Sequence, residues 1–188
     1  MPTGDDRERL ICRDCGFVYY TNPKIVVGAV AAFDDRILLC RRAIPPRAGY
    51  WTLPAGYLEE RETPEQGAVR EAYEEAGAQL EIDTLLAVYT ISRLSQVQLI
   101  YRANLSTAQL EAGPESAAVA LFSYDDIPWS SIAFPSVVWA LEHARQVWGR
   151  RQFAPFRNPD GEVGDLDAFS RAQQQGESRL TNSDTGDS

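Results

Sequence analysis

From Ile25 to Phe33 the run IVVGAVAAF is apolar and rich in β-branched residues, and DDRILLCRR follows it. Two such runs parted by a short acidic turn at Asp34 and Asp35 predict a pair of adjacent strands. Glycine and proline interrupt IPPRAGYWTLPAGYLEERET too often for a long element, so it reads as loop, with YWTL as a short strand. The next segment has clear ends. Thr63 is placed as an N-cap, Pro64 as the first helical residue, Gln66 completes a capping box, and Gly77 terminates. These signals predict a helix from about Pro64 to Ala76. Leu80–Thr90 and Gln96–Leu105 then read as antiparallel strands joined near Arg93–Ser95, and Ala117–Tyr124 as a last strand. DDIPW is a turn. PSVVWALEHARQVW is an amphipathic helix begun by Pro135, with Val138, Leu141 and Trp148 expected on its packed face. Beyond Arg150 the pattern fades: a polar, partly disordered tail is expected over 151–188, with its final segment QQQGESRLTNSDTGDS disordered or loosely attached. The mixed order of elements predicts an α/β or α+β sandwich with helices covering the sheet.

Composition narrows the functions open to this pattern. The 188 residues suffice for one ordinary domain, and 27 acidic against 18 basic side chains, without a basic stretch, argue against gripping a nucleic-acid backbone. A small phosphorylated substrate stays open, because a divalent cation reverses the local sign of an acidic pocket. No apolar run is long enough to cross a bilayer, and MPTGDDRERL lacks the apolar core of a signal peptide, so a cytoplasmic location is expected. Cys12, Cys15 and Cys40 make no disulfide framework. Cys40 falls in an apolar strand and reads as core, and the single histidine, His143, reads as a surface or packing residue.

The predicted helix carries REAYEEAG from Arg70 to Gly77. Glu71, Glu74 and Glu75, at i, i+3 and i+4, share one side of it. Like charges so placed repel, so the cluster needs either open solvent or a cation. Carboxylate oxygens suit Mg²⁺ or Mn²⁺, and Arg70 is placed to pair with Glu62 across the preceding turn. Gly56 lies just upstream, where a residue without a β-carbon can bring its carbonyl close to a metal.

The stretch GYLEERETPEQGAVREAYEEAGA, from Gly56 to Ala78, resembles the signature of the Nudix hydrolases: Gly56, Glu62, Arg70, Glu71, Glu74, Glu75 and Gly77 fill its fixed positions, with Ala72 and Ala78 as weak aliphatic ones. The resemblance implies an α+β fold, the Nudix α/β/α sandwich with a mixed β-sheet, over 24–150, preceded by an extension over 1–23. It implies hydrolysis of a nucleoside diphosphate linked to another moiety. Glu71, Glu74 and Glu75 would hold Mg²⁺ or Mn²⁺ with the Gly56 carbonyl, while Arg70 and Glu62 keep loop and helix in register. The general base differs among members and is left unassigned.

CRDCGFVYYTNPKIVVGAV, GPES and DDIPWSSIAFP further resemble a branch acting on ADP-ribose and FAD, and the SQPWPFP-like stretch common in NADH-cleaving branches is absent. The expected reaction is hydrolysis of ADP-ribose or a related derivative to AMP and a phosphorylated product. FAD cleavage to AMP and FMN is the alternative, and a nucleotide-binding protein with weak turnover a third. A small-molecule nucleotide partner and a homodimer are implied, with neither nucleic acid nor membrane. Two departures stand out. The branch's zinc ribbon has two CxxC pairs, whereas only Cys12 and Cys15 occur here, and two thiolates leave tetrahedral zinc incomplete. Zinc therefore stays open, against a knuckle packed without metal. Ala118 stands where the branch often has a glutamate, with Glu115 nearby. Arg42 for phosphate, and Tyr50, Trp51 and Phe134 for ring stacking, complete the candidate contacts.

Overall fold

The computed structural model describes residues 6–183, with side chains through 175. Its two-stranded hairpin, β1 (Leu10–Ile11) and β2 (Val18–Tyr19), precedes the main sheet. There β3 (Lys24–Phe33) and β4 (Arg36–Arg42) form the expected hairpin, turning at Asp34 with φ 55°. The Gly/Pro-rich stretch is more ordered than its composition suggests. It contributes β5 (Trp51–Thr52), paired with β4, and β6 (Ala55–Tyr57), paired with β3. Gly28 makes the second pairing feasible, because a Cβ there would lie 2.4 Å from that of Ala55.

Helix α1 spans Pro64–Ala76 with the full capping box, and Gly77 closes it in the left-handed region at φ 60°. β7 (Leu80–Ile91) and β8 (Gln96–Leu105) are antiparallel, and β8 runs parallel to β3, which makes the sheet mixed. β9 (Ser116–Phe122) pairs with β4. The principal strand order is β5-β4-β3-β8-β7.

Helices cover both faces. α1 buries Gly67, Ala68, Ala72 and Ala76 against the face holding Val27, Ala29 and Tyr101. Such small side chains let its backbone approach the sheet, and the weak aliphatic positions Ala72 and Ala78 are both buried. α2 (Pro135–Gln146) covers the opposite face. Its packed side is Val137, Ala140, Leu141 and Ala144. Trp148, expected on that side, is instead 44% exposed, because the helix has ended at Gln146 and helical periodicity no longer applies. His143 takes a packing role: its Nδ1 lies 2.7 Å from the Tyr89 hydroxyl and its ring stacks on Phe156.

Directly beyond Arg150, where the sequence shows only a polar tail beginning, the chain is attached to the domain. Phe153 and Phe156 pack on the α2-side core. Phe156 exchanges backbone hydrogen bonds with Leu86 and Val88, covering part of edge strand β7, and Asn158 both accepts from the Thr90 N–H and donates to the Thr90 carbonyl. α3 (Leu166–Ser183) follows. Composition missed this because the attachment depends on two aromatic rings and a few hydrogen bonds rather than on an apolar stripe. Most side chains of QQQGESRLTNSDTGDS, and all of 184–188, lie outside the described residues. No helix among the described residues is long and apolar enough to cross a membrane.

Candidate active site

The capping box orients α1 so that Arg70 faces the incoming loop. Its Nε and NH2 donate to the two carboxylate oxygens of Glu62 at 3.0 and 2.8 Å, a forked geometry available to arginine alone. NH1 donates to Glu71 at 2.8 Å and Glu74 at 3.0 Å, and NH2 also donates to the Tyr57 carbonyl. Glu62 in turn accepts from the Glu59 N–H at 2.7 Å. One guanidinium thus ties loop, strand β6 and helix together. The arginine hydrogen bond, foremost, holds the Glu62 carboxyl below its ordinary range.

Gly56 has a spatial reason to be glycine. A Cβ there would lie 2.3 Å from Glu71 Oε2, so only the bare backbone admits the carboxylate. The same close fit recurs at the far end of α1, where Gly113 donates to the Glu75 carbonyl and a Cβ would strike the Glu74 carbonyl. The loop leading to Glu115 is thereby docked on the carboxylate helix.

The electrostatics show a site crowded with negative charge. Burial chiefly, then Glu71, pushes the Glu75 carboxyl up to about 8, opposed by Arg42 and the Ala55 N–H, with Glu115 adding a smaller repulsion. Glu71 is also raised, by burial before its acidic neighbours Glu74 and Glu115, with Arg70 opposing. Desolvation and like charge both disfavour ionisation, and a cation among these oxygens reverses that. The donor set therefore fits Mg²⁺ or Mn²⁺: hard carboxylate oxygens, and a Gly56 backbone that approaches Glu71 closely. As they stand, no three acidic side chains among the described residues converge on one point. The Arg70 guanidinium lies between Glu71 and Glu74 instead. Glu74, whose side chain is 56% exposed, is held by Arg70 at the solvent side of the cluster.

A cleft of about 1200 Å³ joins this cluster to Arg42, Glu115 and Phe134. Arg42 lies over the Phe134 ring at 5.2 Å and donates through Nε to the Pro46 carbonyl. Tyr50 and Trp51 do not line the cleft. Tyr50 lies under the Arg47 guanidinium at 3.6 Å, and Trp51 packs edge-on against Phe122 at 5.0 Å, so both rings are occupied by packing. Ala118 sits on β9 opposite Arg41, outside the cleft, whereas Glu115 is inside it. Sequence reasoning missed Tyr57, Gln96 and Gln98, which line the cleft from β6 and β8. Their alternation on β8 is the only local signal, and it does not tell a cleft from solvent.

Cys12 and Cys15 lie in the exposed β1–β2 hairpin, and Cys40 is buried in β4. Among the described residues no third His, Cys, Asp or Glu joins Cys12 and Cys15 in a metal-binding group, so the pair does not fit a complete zinc site.

The NUDIX domain family matches residues 22–140. The chain belongs to the NUDIX hydrolase family. A NUDIX hydrolase from Nitrosomonas europaea has a similar crystal structure, with 41% identity and a TM-score of 0.79 over 84% of this chain and 91% of that one. A MutT-like protein of Streptomyces ambofaciens is 39% identical over 54% of this chain and 64% of its own length. An ADP-ribose pyrophosphatase of Methanocaldococcus jannaschii is 29% identical over 58% of this chain and 67% of its own. The NUDIX fold supplies the scaffold on which the carboxylate helix and its glycines are positioned.

Proposed function

We propose that this NUDIX protein hydrolyses the diphosphate bond of ADP-ribose or a related nucleoside diphosphate derivative, giving AMP and a phosphorylated product. The observation that carries the reading is the meeting, in one cleft, of the α1 carboxylates and Glu115 with Arg42 and the Phe134 ring. The Methanocaldococcus relative supports the choice of ADP-ribose.

Glu71, Glu74 and Glu75, with the Gly56 carbonyl and Glu115 nearby, would hold Mg²⁺ or Mn²⁺. Such a cation lowers the pKa of water and offsets charge on the leaving phosphate. Arg42 would meet a phosphate oxygen, and Arg70, through its hydrogen bonds to Glu62, Glu71 and Glu74, would keep the carboxylate cluster in register with Gly56. Water attacks one phosphorus, its proton passes to a carboxylate of the cluster, and the bridging P–O bond breaks.

FAD cleavage to AMP and FMN is a second reading, favoured by a cleft volume above the usual range of roughly 300–1,000 Å³ for small-molecule pockets. Exposed Leu10, Phe17 and Tyr19 on the N-terminal hairpin support a homodimer formed through that region.

The test is a product-resolved assay with ADP-ribose, FAD, NADH and a nucleoside triphosphate in Mg²⁺ or Mn²⁺. Glu75→Gln is the control. AMP release from ADP-ribose that is lost in the control supports the reading. Absence of turnover on all four substrates by folded, metal-loaded protein overturns it in favour of nucleotide binding alone.

A further inference from the structure

The described C-terminal arm supplies part of the cleft wall although it lies beyond the residues matched by the family. Gly164 and Leu166 line the cleft together with Ile91, Leu94, Phe134 and Val137. These form an apolar surface, in contrast to Glu71, Glu74, Glu75 and Glu115 elsewhere in the same cleft.

The arm is fixed at both ends of this wall. Upstream, the Asn158 amide pairs with both backbone groups of Thr90 and also donates to the Glu162 carbonyl at 3.0 Å. Downstream, Arg47 donates to Ser170 Oγ at 3.1 Å and to Gln173 Oε1, while Gln173 donates to the Ile132 carbonyl. Between these ties, Gly164 is buried with φ +73°, and a Cβ there would come within 2.6 Å of Ile91 Cδ1. Glycine lets the arm lie flat on Ile91 and bring Leu166 to the cleft.

We propose that the arm, with Leu166 as its specificity-determining side chain, forms the wall that receives the nucleoside ring of the substrate. This rests on the diphosphate-cleavage reading and deepens it. A purine offers a flat apolar face that matches the wall, while its polar edge can meet the amides of Gln96 and Gln98, which also line the cleft. The diphosphate then extends toward the glutamates. Leu166 acts on recognition of the ring and leaves the carboxylate cluster untouched.

The experiment is calorimetric binding of AMP, and separately of inorganic pyrophosphate with Mg²⁺, to the full chain and to Leu166→Trp and Gly164→Ala. Thermal melting verifies folding, and Leu166→Ala provides a less intrusive variant should either fail to fold. Filling the wall in Leu166→Trp is expected to weaken AMP by about tenfold, the scale on which an apolar pocket discriminates small changes in bulk. Gly164→Ala should weaken AMP in the same direction, and pyrophosphate binding should be unchanged in both. AMP affinity that does not respond to Leu166→Trp, a parallel loss of both ligands, or no AMP binding by the unmodified chain would overturn the proposal. Absence of hydrolysis with selective loss of AMP binding would instead overturn the pyrophosphatase reading and leave the wall assigned.

Discussion

Helix α1 and the C-terminal arm both border the cleft, yet they are built by opposite means. α1 is set by neighbours in sequence: a capping box at Thr63 and Gln66, a left-handed stop at Gly77, and acids at helical spacing. The arm around Gly164 and Leu166 is held by partners far along the chain, namely Thr90, Arg47 and Ile132. The difference separates two tasks. The locally encoded element carries a cluster of carboxylates, and the remotely anchored one presents an apolar surface beside it.

The largest expected effect lies on the helix side. Arg70→Lys keeps the charge but loses the fork that joins Glu62, Glu71 and Glu74. If the proposed ADP-ribose hydrolysis is the activity, its rate should fall about 10²-fold through misplacement of the carboxylates, measured as kcat in a product-resolved assay. An unchanged kcat would mean that the fork does not position the site.

Ala72→Leu sharpens the comparison in stability. Ala72 is fully buried between α1 and the sheet, so three added carbons have no space and should cost about 1–3 kcal/mol in urea unfolding. On the arm, Asn158→Ala should cost only about 1 kcal/mol, since its hydrogen bonds are exposed. Hydrogen exchange should report that loss locally, as faster exchange of the Thr90 amide with little change in α1. Exchange rising equally in both elements would erase the distinction between them.

A smaller effect is expected from pH. The Glu75 carboxyl is raised to about 8 by burial and by Glu71, whereas an unfolded glutamate ionises near about 4.3. Between these values the folded metal-free protein holds more protons than the unfolded chain, so this contribution to stability is present below the unfolded pKa and is lost as pH rises toward 8. Mg²⁺ should therefore raise the melting temperature more at pH 8.5 than at pH 5. Equal shifts at both pH values would separate Glu75 from the cation site.

The contrast also explains what could be read in advance. The strand pairs and both ends of α1 were legible because alternation, caps and turn residues act over a few positions. The packing of Tyr50 and Trp51 was not, because an aromatic residue in a glycine-rich loop looks alike whether it meets a ligand, Arg47 or Phe122. Trp148 was misplaced by extending a helical period past the true end of α2. Glu115 shows a subtler case: its backbone belongs to the loop docked through Gly113, and only that docking brings its charge near Glu71 and Glu75.

The sequence by itself determined the NUDIX signature, the carboxylate spacing and the glycine at position 56, since each depends on residue type and local geometry. Tertiary structure alone decided that Arg70 also reaches the Tyr57 carbonyl on β6, that Arg42 and Phe134 share their cleft, and that a polar C-terminal segment supplies part of its apolar wall. The physical reason is range. Helical spacing and capping act within a turn, whereas a cleft is defined by surfaces that meet only after distant strands have paired and their helices have packed.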